Sequence, residues 1–212
     1  MKVTLYSGKG GAGKTPISLN MALEHEWAIA TNDPLSILSI IDGIETDRVM
    51  EIAPNEAFPE IPDGIDIVFD LGGAISESST PSILSAVKQS DWVIVPAENL
   101  PQSIVGAGIT IREIKPHAKN IMVIATKLKR KKSEPKRVPI EDTAAFLNIK
   151  SQLAEMGHED IPIFPLRHSD AFVTTQATGQ SIESMVRAGG IQAYSLRDLA
   201  SQLEAVHTHM SQ

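Results

Sequence analysis

Ser7-Gly8-Lys9-Gly10-Gly11-Ala12-Gly13-Lys14-Thr15-Pro16, SGKGGAGKTP, decides the fold of this 212-residue chain. Gly8 and the triplet Gly13-Lys14-Thr15 meet the spacing G-x-x-x-x-G-K-[ST], in which backbone N–H groups between Gly8 and Thr15 wrap a phosphate chain, with Pro16 closing the loop. In that pattern Lys14 meets the β and γ oxygens, and the Thr15 hydroxyl sits on Mg²⁺. The flanks agree with it: Lys2 to Tyr6 is a short β-prone run, and Thr15 to His25 carries Ile17, Leu19, Met21, Ala22 and Leu23, as a largely buried helix would. Strand, glycine loop and helix in that order put an anion on a helix N-terminus. Two residues exceed what such a loop needs, a second lysine at Lys9 and a proline at Pro16.

Working outward, Trp27 to Thr31, Ile65 to Phe69, Trp92 to Val95 and Ile121 to Ala125 read as further strands. Most are continuous apolar runs without alternation, the pattern of strands buried on both faces of a parallel sheet. Segments 34–41, 79–89 and 101–115 have helical length and composition, so an α/β doubly wound, mostly parallel sheet flanked by helices is expected, as one domain over 1–212. Glu45 to Gly64 reads as a loop with a short strand near Val49 to Ile52, and Lys127 to Pro139 as a polar excursion. Beyond it come a helix over 140–156, a strand over 161–164, a polar helix-and-loop stretch over 168–186 and a terminal helix over about 192–209.

Composition bounds the function. The chain has no cysteine, which removes disulfides, zinc thiolate sites and iron–sulfur ligation together. MKVTLYSG leaves no room for a signal peptide and no apolar run is long enough to span a bilayer, so a cytoplasmic protein is expected. The net charge of −7 would argue against nucleic acid, but KLKRKKSEPKR, Lys127 to Arg137, holds seven basic residues and one acidic. That local +6 leaves −13 on the rest of the chain, a basic patch on an acidic body.

Lys9-Gly10-Gly11-Ala12-Gly13-Lys14-Thr15 resembles the deviant Walker A loop, KGGxGK[ST], of the ParA/MinD family of dimerising ATPases. The resemblance implies a P-loop NTPase fold, ATP and Mg²⁺ as cofactors, and a homodimer in which Lys9 reaches the partner's nucleotide. It extends along most of the chain. Thr31-Asn32-Asp33-Pro34 is similar to the family's D-x-D-P element, which implies that Asp33 positions the attacking water. Ile65 to Gly73 is similar to its Walker B strand and switch, with Asp70 holding a magnesium-bound water. Ser90 to Pro96 resembles the "sDlviiP" strand, and Ala171-Phe172 with Gln176 to Ile182 resembles its late segment.

Two departures carry expectations. Pro16 replaces a residue whose hydroxyl and N–H would meet the α-phosphate, so weaker nucleotide affinity is expected, although proline in the first helical turn costs no helix bond. Thr31 replaces the first aspartate of D-x-D-P, so slow hydrolysis is expected. The short interval from Lys14 to Asp33 suggests a clipped first helix.

Starting at the P-loop strand, the chain resembles the small plasmid-partition members, implying a centromere-binding adaptor and ATP-gated binding to DNA without sequence preference. Lys127, Lys129, Arg130, Lys131, Lys132, Lys136 and Arg137 are then a phosphate-contacting surface; the alternative is a solvated loop, since the patch lacks aromatics. A membrane-positioning role like that of MinD would need a basic amphipathic terminal helix. Here Leu196, Leu199, Leu203 and Val206 form an apolar stripe with Arg197 as the one firm cation, and the stripe reads as core. A conjugation accessory ATPase shares the same motifs. Iron-protein reductases and thiol-using arsenite pumps are excluded by the missing cysteines.

Overall fold

The computed structural model describes residues 1–33, 35–36, 44–72, 79–130 and 138–212. The expected helix over 34–41 (apart from Leu35 and Ser36), Gly73 and four of the seven patch cations (Lys131, Lys132, Lys136, Arg137) lie outside the described residues.

Seven strands form one parallel sheet: β1 Lys2–Leu5, β2 Ala28–Thr31, β3 Val49–Glu51, β4 Ile67–Asp70, β5 Trp92–Glu98, β6 Ile121–Leu128 and β7 Ile163–Arg167, in the order β3-β2-β4-β1-β5-β6-β7. The described helices are α1 Lys14–Glu24, α2 Thr80–Gln89, α3 Pro101–Ile114, α4 Ala144–Glu155, α5 Ala171–Thr178, α6 Ile182–Ala188 and α7 Gly190–Met210, with 3₁₀ turns at Thr46–Arg48 and Ile140–Asp142. The doubly wound α/β expectation therefore holds. The chain winds outward from β1 in one direction, returns to β4, and continues through β5 in the other. Such a reversal opens a crevice at the carboxyl ends of the strands on either side of it, and the glycine loop leaves β1 there.

Each strand feeds both faces of the sheet. Tyr6, Phe69, Val93, Val95 and Val123 pack with Ile83, Ile104, Ile111, Phe146 and Ile149 from α2, α3 and α4. Leu5, Val68, Ile94 and Ile124 pack with Ile17 and Met21 of α1 and with Leu199 and Leu203 of α7. Adjacent residues such as Val93 and Ile94 go to opposite cores, which is why the runs show no polar alternation. The stripe on α7 lies in the second core, Leu199, Leu203 and Val206 being buried, as its reading as core expects.

Boundaries moved where backbone pairing decided them. β4 begins two residues later than expected, because Asp66 lends only its carbonyl to Ala28 while Ile67 donates to Met1. β5 runs on through Pro96, which a central strand should not tolerate. Ile94 turns its carbonyl to Tyr6 N–H just past the end of β1, and Pro96 has the same parity. Its missing N–H therefore points to a side where no strand asks for it.

The C-terminal helix is fixed to the base of the sheet by Trp92 Nε1–H donating to the Met210 carbonyl at 3.1 Å. His207 stacks on His25 with ring centroids 3.8 Å apart, whereas His209 packs against Trp92 and Phe164. The two terminal histidines thus serve different neighbours, in keeping with their i, i+2 spacing. No helix among the described residues is long and apolar enough to cross a membrane.

Candidate nucleotide site at the sheet's switch point

Gly11 (φ 77°) and Gly13 (φ 93°) adopt the left-handed backbone that only glycine takes without strain, and Gly13 caps α1 from that conformation. The loop therefore bends back across the end of β1 and delivers Lys14 as the first residue of the helix. The Lys14 side chain is buried, and its ammonium donates to the Ser7 and Lys9 carbonyls, both at 3.4 Å. Burial lowers its pKa, with the carboxylates of Asp70 and Asp33 opposing. Lys9 N–H donates to Ser7 Oγ at 3.3 Å, and the Lys9 ammonium has no hydrogen bond among the described residues. Gly8 N–H donates to Thr110 Oγ1 of α3 at 3.3 Å.

Asp70, the last residue of β4, is buried behind the loop. Thr15 Oγ1 donates to its Oδ2 at 2.7 Å and Ser18 Oγ to its Oδ1 at 3.1 Å, while Ser36 Oγ lies 3.0 Å from Thr15 Oγ1. Burial raises the Asp70 pKa, and the Thr15 bond, the Lys14 charge and the Ser18 and Ser36 hydroxyls pull it back. The result is an all-oxygen cluster of one carboxylate and three hydroxyls at a helix N-terminus, a donor set that suits a hard dication such as Mg²⁺.

Thr31, where an aspartate was expected, is a neutral tie. Its hydroxyl donates to the Asp70 carbonyl at 2.8 Å and accepts from Asp33 N–H at 3.0 Å. Asp33 in turn accepts from Leu35 N–H at 3.0 Å and packs tightly on Gly72, where an added Cβ would stand 2.4 Å from Asp33 Cβ. Gly72 N–H is held by Asn32 Oδ1 at 2.7 Å, and Asn32 Nδ2 donates to Ser82 Oγ of α2. The segments after β2 and β4 are thus locked to each other beside the loop.

Pro16 is the third residue of α1 and breaks no helix bond there. With Gly13, Ile17, Thr126, Leu166 and Phe172 it lines a cavity of about 160 Å³ beside the loop. Cavities of this kind, mostly apolar and next to a phosphate cradle, suit a planar base.

The basic run divides. Lys127 Nζ donates to the Gly11 carbonyl at 2.6 Å and pairs with Glu98 at 2.8 Å, turning inward to the loop. Arg130 Nε donates to the Val138 carbonyl at 2.7 Å, and Lys129 is exposed.

Ser18, Ser36, Thr110 and Thr126 carry no sequence expectation, whereas Asn32 and Gly72 fall inside the two quoted motifs without a role of their own there. For Ser18 a signal existed, since a hydroxyl three residues after Thr15 lies on the same helix face. Ser36, Thr110 and Thr126 are small residues far away in the chain, with nothing in their surroundings to mark them.

A parallel sheet with a glycine loop at its switch point, a buried lysine and a threonine–aspartate pair define the P-loop NTPase fold. Within that class the chain has the fold of the ParA/MinD-type ATPases. An ATP complex of a Cyanothece McdA variant superposes with a TM-score of 0.66 at 15% identity, covering 100% of this chain and 96% of that one. The Pyrococcus furiosus cell division ATPase MinD gives 0.60 at 15% identity, covering 97% and 99%. A ParA family ATPase from Chlorobium tepidum gives 0.54 at 15% identity, covering 95% of each chain. No family model and no curated protein matches the sequence.

Proposed function

We propose that this chain is a MgATP-dependent ATPase that acts as a homodimer and segregates or positions DNA, in the manner of plasmid-partition ATPases. The observation that carries the proposal is the Thr15–Asp70 pair set at 2.7 Å beside the buried Lys14 within a glycine loop. Thr15 and Asp70 would hold Mg²⁺, which when bound neutralises charge on the β and γ oxygens. Lys14 stabilises the charge that spreads over the γ-phosphoryl oxygens as a water oxygen bonds to phosphorus and the bond to the bridging oxygen breaks. Asp33, held by Thr31 and Gly72, orients that water. ADP and phosphate leave, and the water's protons pass to phosphate and solvent.

Lys9 supports the dimer. It stands on the loop with an ammonium that makes no hydrogen bond among the described residues, so its charge is available to a second nucleotide across an interface. Lys129 and Arg130, with the cations that follow them in sequence, would contact DNA phosphates, and a centromere-binding adaptor would trigger hydrolysis. A membrane role finds less support, because the apolar stripe of α7 is spent in the core.

The test is binding to non-specific duplex DNA across a salt series, with and without ATP. Wild type is compared with Lys9→Ala and with Lys129, Arg130, Lys131 and Lys132 all changed to Ala. Binding that needs ATP, weakens steeply with salt and disappears in both variants is expected. ATP-dependent pelleting with liposomes and no DNA binding would overturn the DNA role.

A further inference from the structure

We infer that Lys127 belongs to the nucleotide site rather than to the basic run, as a positioning residue that aims backbone donors of the glycine loop from β6. The inference rests on the ATPase proposed above and adds to it a residue from the far side of the loop.

The pairing of β6 with β7 is regular to Ala125 opposite Pro165 and resumes at Leu128 opposite Arg167, with a register shift between. Inside that shift Lys127 has φ 54°, left-handed backbone that favours glycine, Asn or Asp and gives a lysine no relief. Bulges of this kind re-aim a side chain, and they recur beside active sites. Here the re-aimed side chain reaches the crest of the glycine loop, where its ammonium takes the Gly11 carbonyl at 2.6 Å. The neighbouring Thr126 hydroxyl donates to the Ala12 carbonyl at 3.0 Å. Two successive residues of β6 therefore hold two successive carbonyls of the loop.

The consequence follows from the planarity of the trans peptide, in which C=O and the next N–H point in opposite directions. A Gly11 carbonyl fixed outward onto Lys127 sends Ala12 N–H the other way, into the cradle. An Ala12 carbonyl fixed onto Thr126 does the same for Gly13 N–H. These are donors that wrap a phosphate chain, and donors fixed in advance cost no reorganisation when the charge arrives. The ammonium also polarises the peptide it holds, which strengthens the opposite N–H as a donor.

Glu98 completes the device. It ends β5, its N–H is held by Ser103 Oγ at 3.0 Å, and its carboxylate pairs with Lys127 at 2.8 Å while keeping little exposure, 16% against 46% for the lysine. It anchors the ammonium to the strand beside β6 and cancels its charge toward solvent. A lysine so paired adds little to a surface that recruits DNA.

The experiment measures affinity for MgATP, MgADP and inorganic tripolyphosphate in wild type, Lys127→Met and Lys127→Gly. Lys150→Met, an exposed charge on α4, is the control. Loss of one charge-assisted bond predicts about tenfold weaker binding of all three ligands in both Lys127 variants and none in the control. Lys127→Gly loses the same contacts as Lys127→Met but relieves the backbone, so its unliganded Tm should exceed that of Lys127→Met while the two share the same loss of affinity, which separates positioning from folding. Unchanged affinity for all three ligands in Lys127→Met overturns the inference and leaves the ATPase proposal standing. Weakened MgATP and MgADP with unchanged tripolyphosphate also overturns it, because the residue would then act on the base. Wild type binding no nucleotide overturns both.

Discussion

Gly72→Ala tests the lock between the segments that follow β2 and β4. The added Cβ would stand 2.4 Å from Asp33 Cβ, 2.7 Å from Oδ2 and 2.8 Å from Cγ, whereas ordinary contact begins at 3.4 Å. Asp33 must therefore retreat by about 1 Å, with backbone, because the nearest atom is its Cβ. Overpacking of this kind costs about 1–3 kcal/mol, a fall in Tm of roughly 2–12 °C for a domain of this length. A displacement of about 1 Å at Asp33, in the water-orienting role proposed for it, costs on the order of a hundredfold in rate. Nucleotide affinity should change little, since the atoms nearest the added Cβ all belong to Asp33 rather than to Lys14 or Thr15. Single-turnover ATP hydrolysis, nucleotide titration and thermal unfolding together read all three quantities. Asp33→Gly removes the clashing atoms, so in that background Gly72→Ala should cost little further stability. Wild-type hydrolysis and an unchanged Tm in Gly72→Ala would refute both the close approach and the role given to Asp33.

Other expectations can be checked with the same assays. Ser18→Ala removes one of the hydroxyls that hold buried Asp70 and should cost about 1 kcal/mol or more in urea unfolding, with weaker Mg²⁺-dependent nucleotide binding. Pro16→Thr restores a hydroxyl and an N–H at the loop's end and should tighten MgATP binding by roughly a hydrogen bond's worth, about fivefold, by titration calorimetry. His25 titrates below its ordinary 6.5 because burial and the stacked His207 disfavour its charge, with Arg187 adding to them and Glu24 and Glu204 opposing. The folded state thus binds this proton less readily than the unfolded one. The contribution to stability is complete above pH 6.5 and is lost as pH falls from there through the folded pKa. Urea midpoints measured down to about pH 5 should show this slope, and His25→Phe should flatten it.

Much of this architecture is legible from sequence because its determinants are local. The glycine loop is contiguous, its spacing is fixed by what a phosphate needs, and Asp70 stands out as a lone charge ending an apolar run. The strands announce themselves because both sheet faces are buried, which also explains why their ends do not. Nothing in Ile65-Asp66 says that pairing begins at Ile67, and nothing in Val95-Pro96 says that β1 has already stopped. The least legible part of the site is its outer layer. Thr110 and Thr126 are common residues in a helix and a strand, more than a hundred positions from the loop carbonyls and amides they hold. Lys127 is misleading as well as hidden, for it opens a run of cations, and a register shift in β6 separates it from them. Thr31 shows the opposite case, since the sequence marks it as a loss where the structure gives its hydroxyl two partners.

The helix that follows the glycine loop takes part of its support from the far end of the chain. Asn20 donates to Glu183 Oε2 and accepts from Ile182 N–H, and Glu24 holds Arg187 and Ser181. The Asn20–Glu183 pair spans 163 positions in sequence. On a ribosome adding about 5–20 residues per second, α1 emerges of the order of ten seconds or more before the residues that shield its buried amide. During synthesis the phosphate cradle has its own backbone but not the wall behind it. A nascent chain should therefore capture nucleotide tightly only once residues 181–187 have been made.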